Sequence, residues 1–128
     1  HYDQLNLQMQ AALSGTEIKQ LHQLVGGHPY LTRLAFYQLS KDNAPDFNRF
    51  MNTAADEQGP FGSHLRGLMA QLYRREELLI ALRKLIKGND KIDDDLYYRL
   101  YGAGLVYRVE RKVKPANVLY ARFFKGVL

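Results

Sequence analysis

Leu24-Val25-Gly26-Gly27-His28-Pro29-Tyr30-Leu31 is the stretch of this sequence that comes nearest to ligand chemistry. Paired glycines stop a helix, because glycine takes the left-handed conformation without a steric cost. A proline one residue further on opens the next helix at its first turn, where its missing amide hydrogen removes no bond. The beginning of that second helix presents backbone amides and the positive end of a dipole, which suits a phosphate or the edge of a purine. A plain tight corner accounts for the same residues, and the local spacing does not choose between the two.

A second cluster is electrostatic. Residues 1–97 carry 11 Lys and Arg against 12 Asp and Glu, whereas residues 98–128 carry 7 against 1, so the net charge of +5 belongs to the last quarter of the chain. The cations there are Arg108, Arg111, Lys112 and Lys114, with Arg99 before them and Arg122 and Lys125 after. Such a group suits a polyanion or an acidic protein surface, or is a solvated face. Tyr97, Tyr98, Tyr101 and Tyr107 lie among these cations. Stacking on single-stranded bases is one use for that mixture. Packing of a helix against a hairpin explains it more cheaply, since tyrosines commonly bury the ring and keep the hydroxyl wet.

Other chemistries are poorly served. With no cysteine, the chain has no disulfide framework, thiolate zinc site or cysteine nucleophile. His1, His22, His28 and His64 lack paired metal-ligand spacing, and no signature marks a serine or glutamate as catalytic. Asp90, Asp93, Asp94 and Asp95 lack the glycine and glutamate of a calcium loop, and acidic residues at a helix start are expected from the dipole. Neither a Gly-x-x-x-x-Gly-Lys-Ser/Thr loop nor an apolar strand ending in paired acidic residues occurs, so nothing here would cradle phosphates or hold magnesium for hydrolysis.

The elements that position these residues can be read from periodicity. Ser14-Gly15-Thr16-Glu17 is a capping box, and Ile18, Leu21, Leu24 and Val25 give the helix after it an apolar face. Leu31, Leu34, Ala35 and Leu39 continue the second helix, so residues 14–41 are expected to form a helical hairpin. Lys41-Asp42-Asn43-Ala44-Pro45 is a polar break. Phe47, Phe50, Met51 and Ala54 then mark a third helix, which should end before Gly59-Pro60. Leu65, Leu68, Met69 and Leu72 mark a fourth. Leu78, Leu82, Leu85 and Ile86 mark a fifth that stops at Gly88-Asn89, and a sixth runs from about Asp93 to Tyr101 with Ile92, Leu96 and Leu100 on one side. From Leu105 the period falls to two: Leu105, Tyr107 and Val109 alternate with Val106, Arg108 and Glu110. Val113 and Pro115 then suit a short return strand around Arg111-Lys112. Val118, Leu119, Phe123 and Phe124 close the chain as a last helix. Three helices followed by a hairpin, over residues 62–115, is the order of a winged helix-turn-helix, with residues 93–101 in the recognition slot. That helix begins with three aspartates and has few of the Arg, Asn or Gln side chains that read base edges.

Four blocks, in order, resemble a known family. They are Ser14-Gly15-Thr16-Glu17-Ile18, the Leu24–Leu31 corner, Leu100-Tyr101-Gly102-Ala103-Gly104-Leu105-Val106, and Leu119-Tyr120-Ala121-Arg122-Phe123-Phe124. They look like successive blocks of the bacterial AAA-like domain family, which belongs with the signal-transduction ATPases with numerous domains (STAND) and is similar to archaeal-type ATPases in its lid. The corner is the most specific block. The resemblance implies a helical lid followed by a winged helix, placed after an upstream P-loop core in the same chain that would bind ATP or ADP with magnesium. In such ATPases the Gly-x-Pro corner packs over the adenine, which points to Gly27, His28 and Pro29 here: Pro29 against the base, His28 as a phosphate sensor. The Met-His-Asp signature of some STAND winged helices is absent.

The expectations are therefore these. The fold is mainly α, with a lid subdomain over residues 1–60 and a winged-helix-like subdomain with a small β-hairpin wing over residues 61–128. The chain has no catalytic residue or metal site of its own and needs no cofactor alone. It senses nucleotide bound to the upstream domain and relays that state to other protein domains. The rival readings are a winged-helix nucleic-acid binder using Arg99, Arg108, Arg111, Lys112 and Lys114, and a protein-interaction domain without ligand. The chain begins at His1 and is expected to be a piece of something longer. No apolar run reaches the roughly 18 residues of a membrane span and no leader precedes the first helix, so no membrane partner and a cytoplasmic location are expected.

Overall fold

The computed structural model describes residues 12–89 and 91–128. The protein is mainly helical. Among the described residues seven helices occur: α1 (Gly15–Val25), α2 (Pro29–Leu39), α3 (Phe47–Thr53), α4 (Gly62–Tyr73), α5 (Glu76–Ile86), α6 (Asp94–Gly102) and α7 (Val118–Val127). Between α6 and α7 the strands β1 (Val106–Val109) and β2 (Lys112–Pro115) form a two-stranded antiparallel hairpin. The chain divides into two compact units, residues 1–63 and residues 64–128.

In the first unit, α1 starts as its sequence dictates. The Ser14 hydroxyl accepts from the Glu17 amide at 3.1 Å and the Glu17 carboxylate accepts from the Ser14 amide at 3.0 Å, so each residue satisfies the other's orphan donor. Leu21, Leu24 and Val25 are buried on its inner face, with Ile18 half-buried above them. α2 packs against α1 and buries Leu31, Ala35, Phe36 and Leu39, while Leu34 is only half-buried. α3 is short, and the Asp46 carboxylate caps it by accepting from the Arg49 amide at 2.8 Å. The two largest buried side chains of this unit, Phe50 and Phe61, meet edge to face at 5.7 Å. Between them the chain turns so tightly at Gly59 that a Cβ there would lie 2.1 Å from the Thr53 carbonyl oxygen. Only glycine fits.

In the second unit α5 is the central element. It packs against α6 and α7 and buries Leu78, Leu79, Ala81, Leu82 and Leu85. α6 in turn contacts β1, and α7 contacts β2, so the hairpin is held along both strands. Asp93 caps α6 by accepting from the Asp95 amide at 2.8 Å, and the buried Asn117 caps α7 by accepting from the Tyr120 amide at the same distance. The last helix buries Leu119, Tyr120, Phe123 and Phe124; Val118, expected in its seam, is exposed. His64 at the start of α4 bonds across to the Tyr120 hydroxyl at 2.7 Å with the two rings stacked.

The hairpin differs in detail from its sequence reading. Its register pairs Val106 with Pro115, Tyr107 with Lys114, Arg108 with Val113 and Val109 with Lys112. The turn is therefore Glu110-Arg111 rather than Arg111-Lys112, and both turn residues have positive φ, 51° and 70°. A two-residue turn with both residues left-handed matches the twist of the strands. Here it forms without the Asn-Gly pair that would have marked it. The inward face is also the less apolar one. Val106 and Val113 are buried while Tyr107 and Val109 point outward.

Candidate functional site

The corner between α1 and α2 is built from backbone up. Gly26 and Gly27 both lie in the left-handed region, with φ of 64° and 71°, and the Gly26 amide donates to the His22 carbonyl at 2.8 Å to close α1. The His28 amide donates to Val25 at 3.2 Å, completing the reversal. His28 is then the cap of α2. Its Nδ1 accepts from the Leu31 amide at 3.3 Å and its carbonyl accepts from the Thr32 amide at 2.9 Å.

This changes what the corner offers a ligand. Pro29 has no amide hydrogen, and the amides of Leu31 and Thr32 are both spent on His28. The ready row of donors expected at this helix start is therefore largely consumed within it. An accepting Nδ1 leaves Nε2 as the imidazole nitrogen available to donate. What the corner presents outward is mainly ring surface: Pro29 is exposed, Tyr30 is 46% exposed, and the Tyr30 ring meets that of His28 edge-on at 6.5 Å. The His22 ring lies against Gly27, where a Cβ would come within 3.0 Å of its Cε1. Thus Gly27, His28 and Pro29 are contiguous at one surface, together with His22 and Tyr30, which the sequence reading did not single out. Spacing i to i+5 along a helix and into its cap would have been the only signal for His22.

Two clefts among the described residues lie elsewhere. One, of about 450 Å³, is lined by Leu68, Leu72, Leu78 and Leu105 with Gln71, Arg74 and Arg75 at one side. The other, of about 640 Å³, is lined by Arg49 and Thr53 of α3 and by the loops on either side of it, from Asn43 to Pro60. Neither includes the corner.

The basic cluster separates into two groups. Arg99 is engaged: it forms ion pairs with Glu77 and, at 3.8 Å, with Asp95 one turn earlier. That pairing, after a hydrogen bond from its own backbone amide, holds the Glu77 carboxyl below its ordinary 4.5. Arg108 is engaged too, over the Tyr97 ring at 3.9 Å and with Asp94 at 3.4 Å. Partial burial works against its charge, and Tyr97 and Asp94 outweigh that and raise its pKa. Arg111, Lys112 and Lys114 are exposed and none of them has an ion-pair partner among the described residues. The tyrosines divide as well. Tyr97 is buried, at 7% exposure, whereas Tyr98 and Tyr101 are more than half exposed and Tyr107 is 39% exposed. Core packing explains the first alone. Of the aspartates once weighed as metal ligands, Asp93 is a helix cap and Asp94 and Asp95 pair with arginines. Asp90 and His1 lie outside the described residues.

A mainly helical chain with a glycine-proline corner between its first two described helices and a basic two-stranded hairpin near its end is the class these features define. Residues 1–126 match the AAA-like domain family, and the chain belongs to that family. Neither the curated proteins nor the solved structures contain a match to it. Among the described residues no helix is long and apolar enough to cross a membrane.

Proposed function

We propose that this chain is the nucleotide-lid and winged-helix part of a STAND-type signalling ATPase, closing over a nucleotide held by an upstream P-loop domain. The observation that carries the reading is the corner: Pro29 and Tyr30 present exposed rings on a helix start locked by His28. A ring surface suits the face of an adenine better than it suits phosphate, because stacking needs area and phosphate needs donors. Pro29 is then the adenine contact, Gly27 supplies the close approach, and His28 positions the helix start, with only its Nε2 left for a phosphate. The chain contributes no catalytic group of its own; ATP or ADP and magnesium belong to the intact protein. Closure is a population shift, biased by whichever nucleotide the corner contacts better, and the helices and hairpin of residues 64–128 relay it to neighbouring domains.

The test separates contact from capping. In the intact protein, Pro29→Ala should weaken ADP or ATP binding by calorimetry, since it removes ring area and leaves the cap. His28→Asn should keep nucleotide affinity within a factor of two or so, because asparagine caps as well. Unchanged affinity in Pro29→Ala removes the corner from the nucleotide site. A nucleic-acid reading has less to draw on, because Arg99 and Arg108, two of its five cations, are already held by Glu77, Asp95, Asp94 and Tyr97.

A further inference from the structure

The outer face of the hairpin carries two parallel rows of different character. The register places Tyr107 beside Lys114 and Val109 beside Lys112, all four on the side away from buried Val106 and Val113. One row is apolar, Tyr107 and Val109 at 39% and 42% exposure. The other is cationic, Lys112 and Lys114, with Arg111 at the turn. Residues two apart on a strand are separated by about 6.7 Å, and the rows by about 4.8 Å, the spacing between strands. No acidic side chain among the described residues pairs with any of these cations. Two apolar side chains face solvent beside cations with no ion-pair partner among the described residues, while the opposite face of the same hairpin turns its arginine to Tyr97 and Asp94.

We infer that this face is a docking surface for an acidic polypeptide segment that carries apolar side chains beside its carboxylates. The inference does not depend on the nucleotide reading above. Charge complementarity selects an anion, and two features select a polypeptide over a nucleic acid. In the apolar row only Tyr107 offers a flat ring for a base, and Val109 beside it suits an aliphatic or aromatic side chain. Glu110 stands in the turn beside Arg111, between the two strands that carry the rows. A long polyanion following the cations through Arg111 would pass the Glu110 carboxylate, whereas a short acidic segment need engage only the Lys112–Lys114 row. The apolar row then covers its leucine or aromatic side chains, as an interface with a small desolvated centre and a charged rim requires.

Fluorescence anisotropy with this chain tests the assignment. The probe is a short labelled peptide of glutamate and leucine; the comparison ligands are a glutamate-only peptide of equal charge and an oligothymidylate of equal charge. The mixed peptide should bind at physiological salt and more tightly than either comparison. Lys112→Glu with Lys114→Glu should weaken it about tenfold or more, since two favourable pairs become repulsive. The charge-matched pair Lys84→Glu on α5 with Lys87→Glu at its C-terminal cap should leave it unchanged, and Tyr107→Ser should weaken the mixed peptide but not the glutamate-only one. Circular dichroism confirms that the lysine variants, all at exposed positions, remain folded. Equal or tighter binding of oligothymidylate, equal effects of the two lysine pairs, or no binding of the mixed peptide overturns the proposal.

Discussion

The guanidinium of Arg108 lies over the ring of Tyr97, 3.9 Å from the ring centroid, and this contact, with the Asp94 pair, ties the hairpin to α6. It explains why an arginine faces inward from β1 and why one tyrosine of four is buried. The ring offers its negative face to the cation, Asp94 takes the outer nitrogen at 3.4 Å, and the aliphatic stem covers apolar surface. Tyr97→Ala should therefore cost roughly 3 kcal/mol of stability, mostly lost burial. Arg108→Leu should lower the urea midpoint less than Tyr97→Ala, and the double variant should lose less than the sum of the two. Strict additivity would show that the contact contributes nothing of its own.

Gly59 is fixed by its neighbour's backbone and not by a turn preference. A methyl group 2.1 Å from the Thr53 oxygen cannot be accommodated without moving the chain between α3 and Phe61. Gly59→Ala should cost about 2 kcal/mol or more in denaturant titrations. Gly67→Ala, on α4 with nothing within 4 Å, should be neutral or stabilising.

Glu77 makes stability depend on acid. Its folded-state pKa is lowered below 4.5, first by its own amide and then by Arg99, so its ionised form is favoured by folding. The contribution is fully present above the ordinary carboxylate range and is lost as pH falls through the lower folded value. Thermal midpoints should thus fall between neutral pH and pH 3 or so, and Arg99→Gln should reduce that fall without abolishing it, because the amide remains. An Arg99→Gln profile identical to that of the parent would remove the ion pair from the account.

His28 should matter to stability before it matters to any ligand. Loss of its Nδ1 acceptor leaves the Leu31 amide without its cap, so His28→Ala should cost about 1 kcal/mol, and His28→Asn or His28→Asp should recover it. Chemical denaturation of the three variants measures this directly. Equal stability of all three would mean that the imidazole does not cap α2.

Much of the fold was readable because its signals are local. A capping box closes over three residues, and glycines that must turn left are recognisable wherever they occur, so Ser14 with Glu17, the Gly26–Pro29 corner and the helix stripes at Leu21, Phe50, Leu65 and Leu82 follow from the sequence itself. The corner's chemistry was less readable. That His28 would spend its Nδ1 on Leu31 depends on a rotamer, not on a residue type.

The rest was decided by contacts between residues far apart in the chain. Periodicity of two announced the strands around Leu105 and Val113 but could not say which face turns inward, since either face carries a valine. The inward face became the one that lets Arg108 meet Tyr97 and Asp94 on α6. Arg99 and Arg108 looked as available as Arg111, Lys112 and Lys114; only packing of α5 against α6 brought Glu77, 22 residues away, to Arg99. His64 and Tyr120, 56 residues apart, had no signal at all. Local sequence determined where capped helices such as α1 begin and where the Gly26–Pro29 corner turns, because caps and turns act within a few residues. Tertiary structure alone decided which cations and rings remain open to a partner, because that depends on what other parts of the chain have already covered.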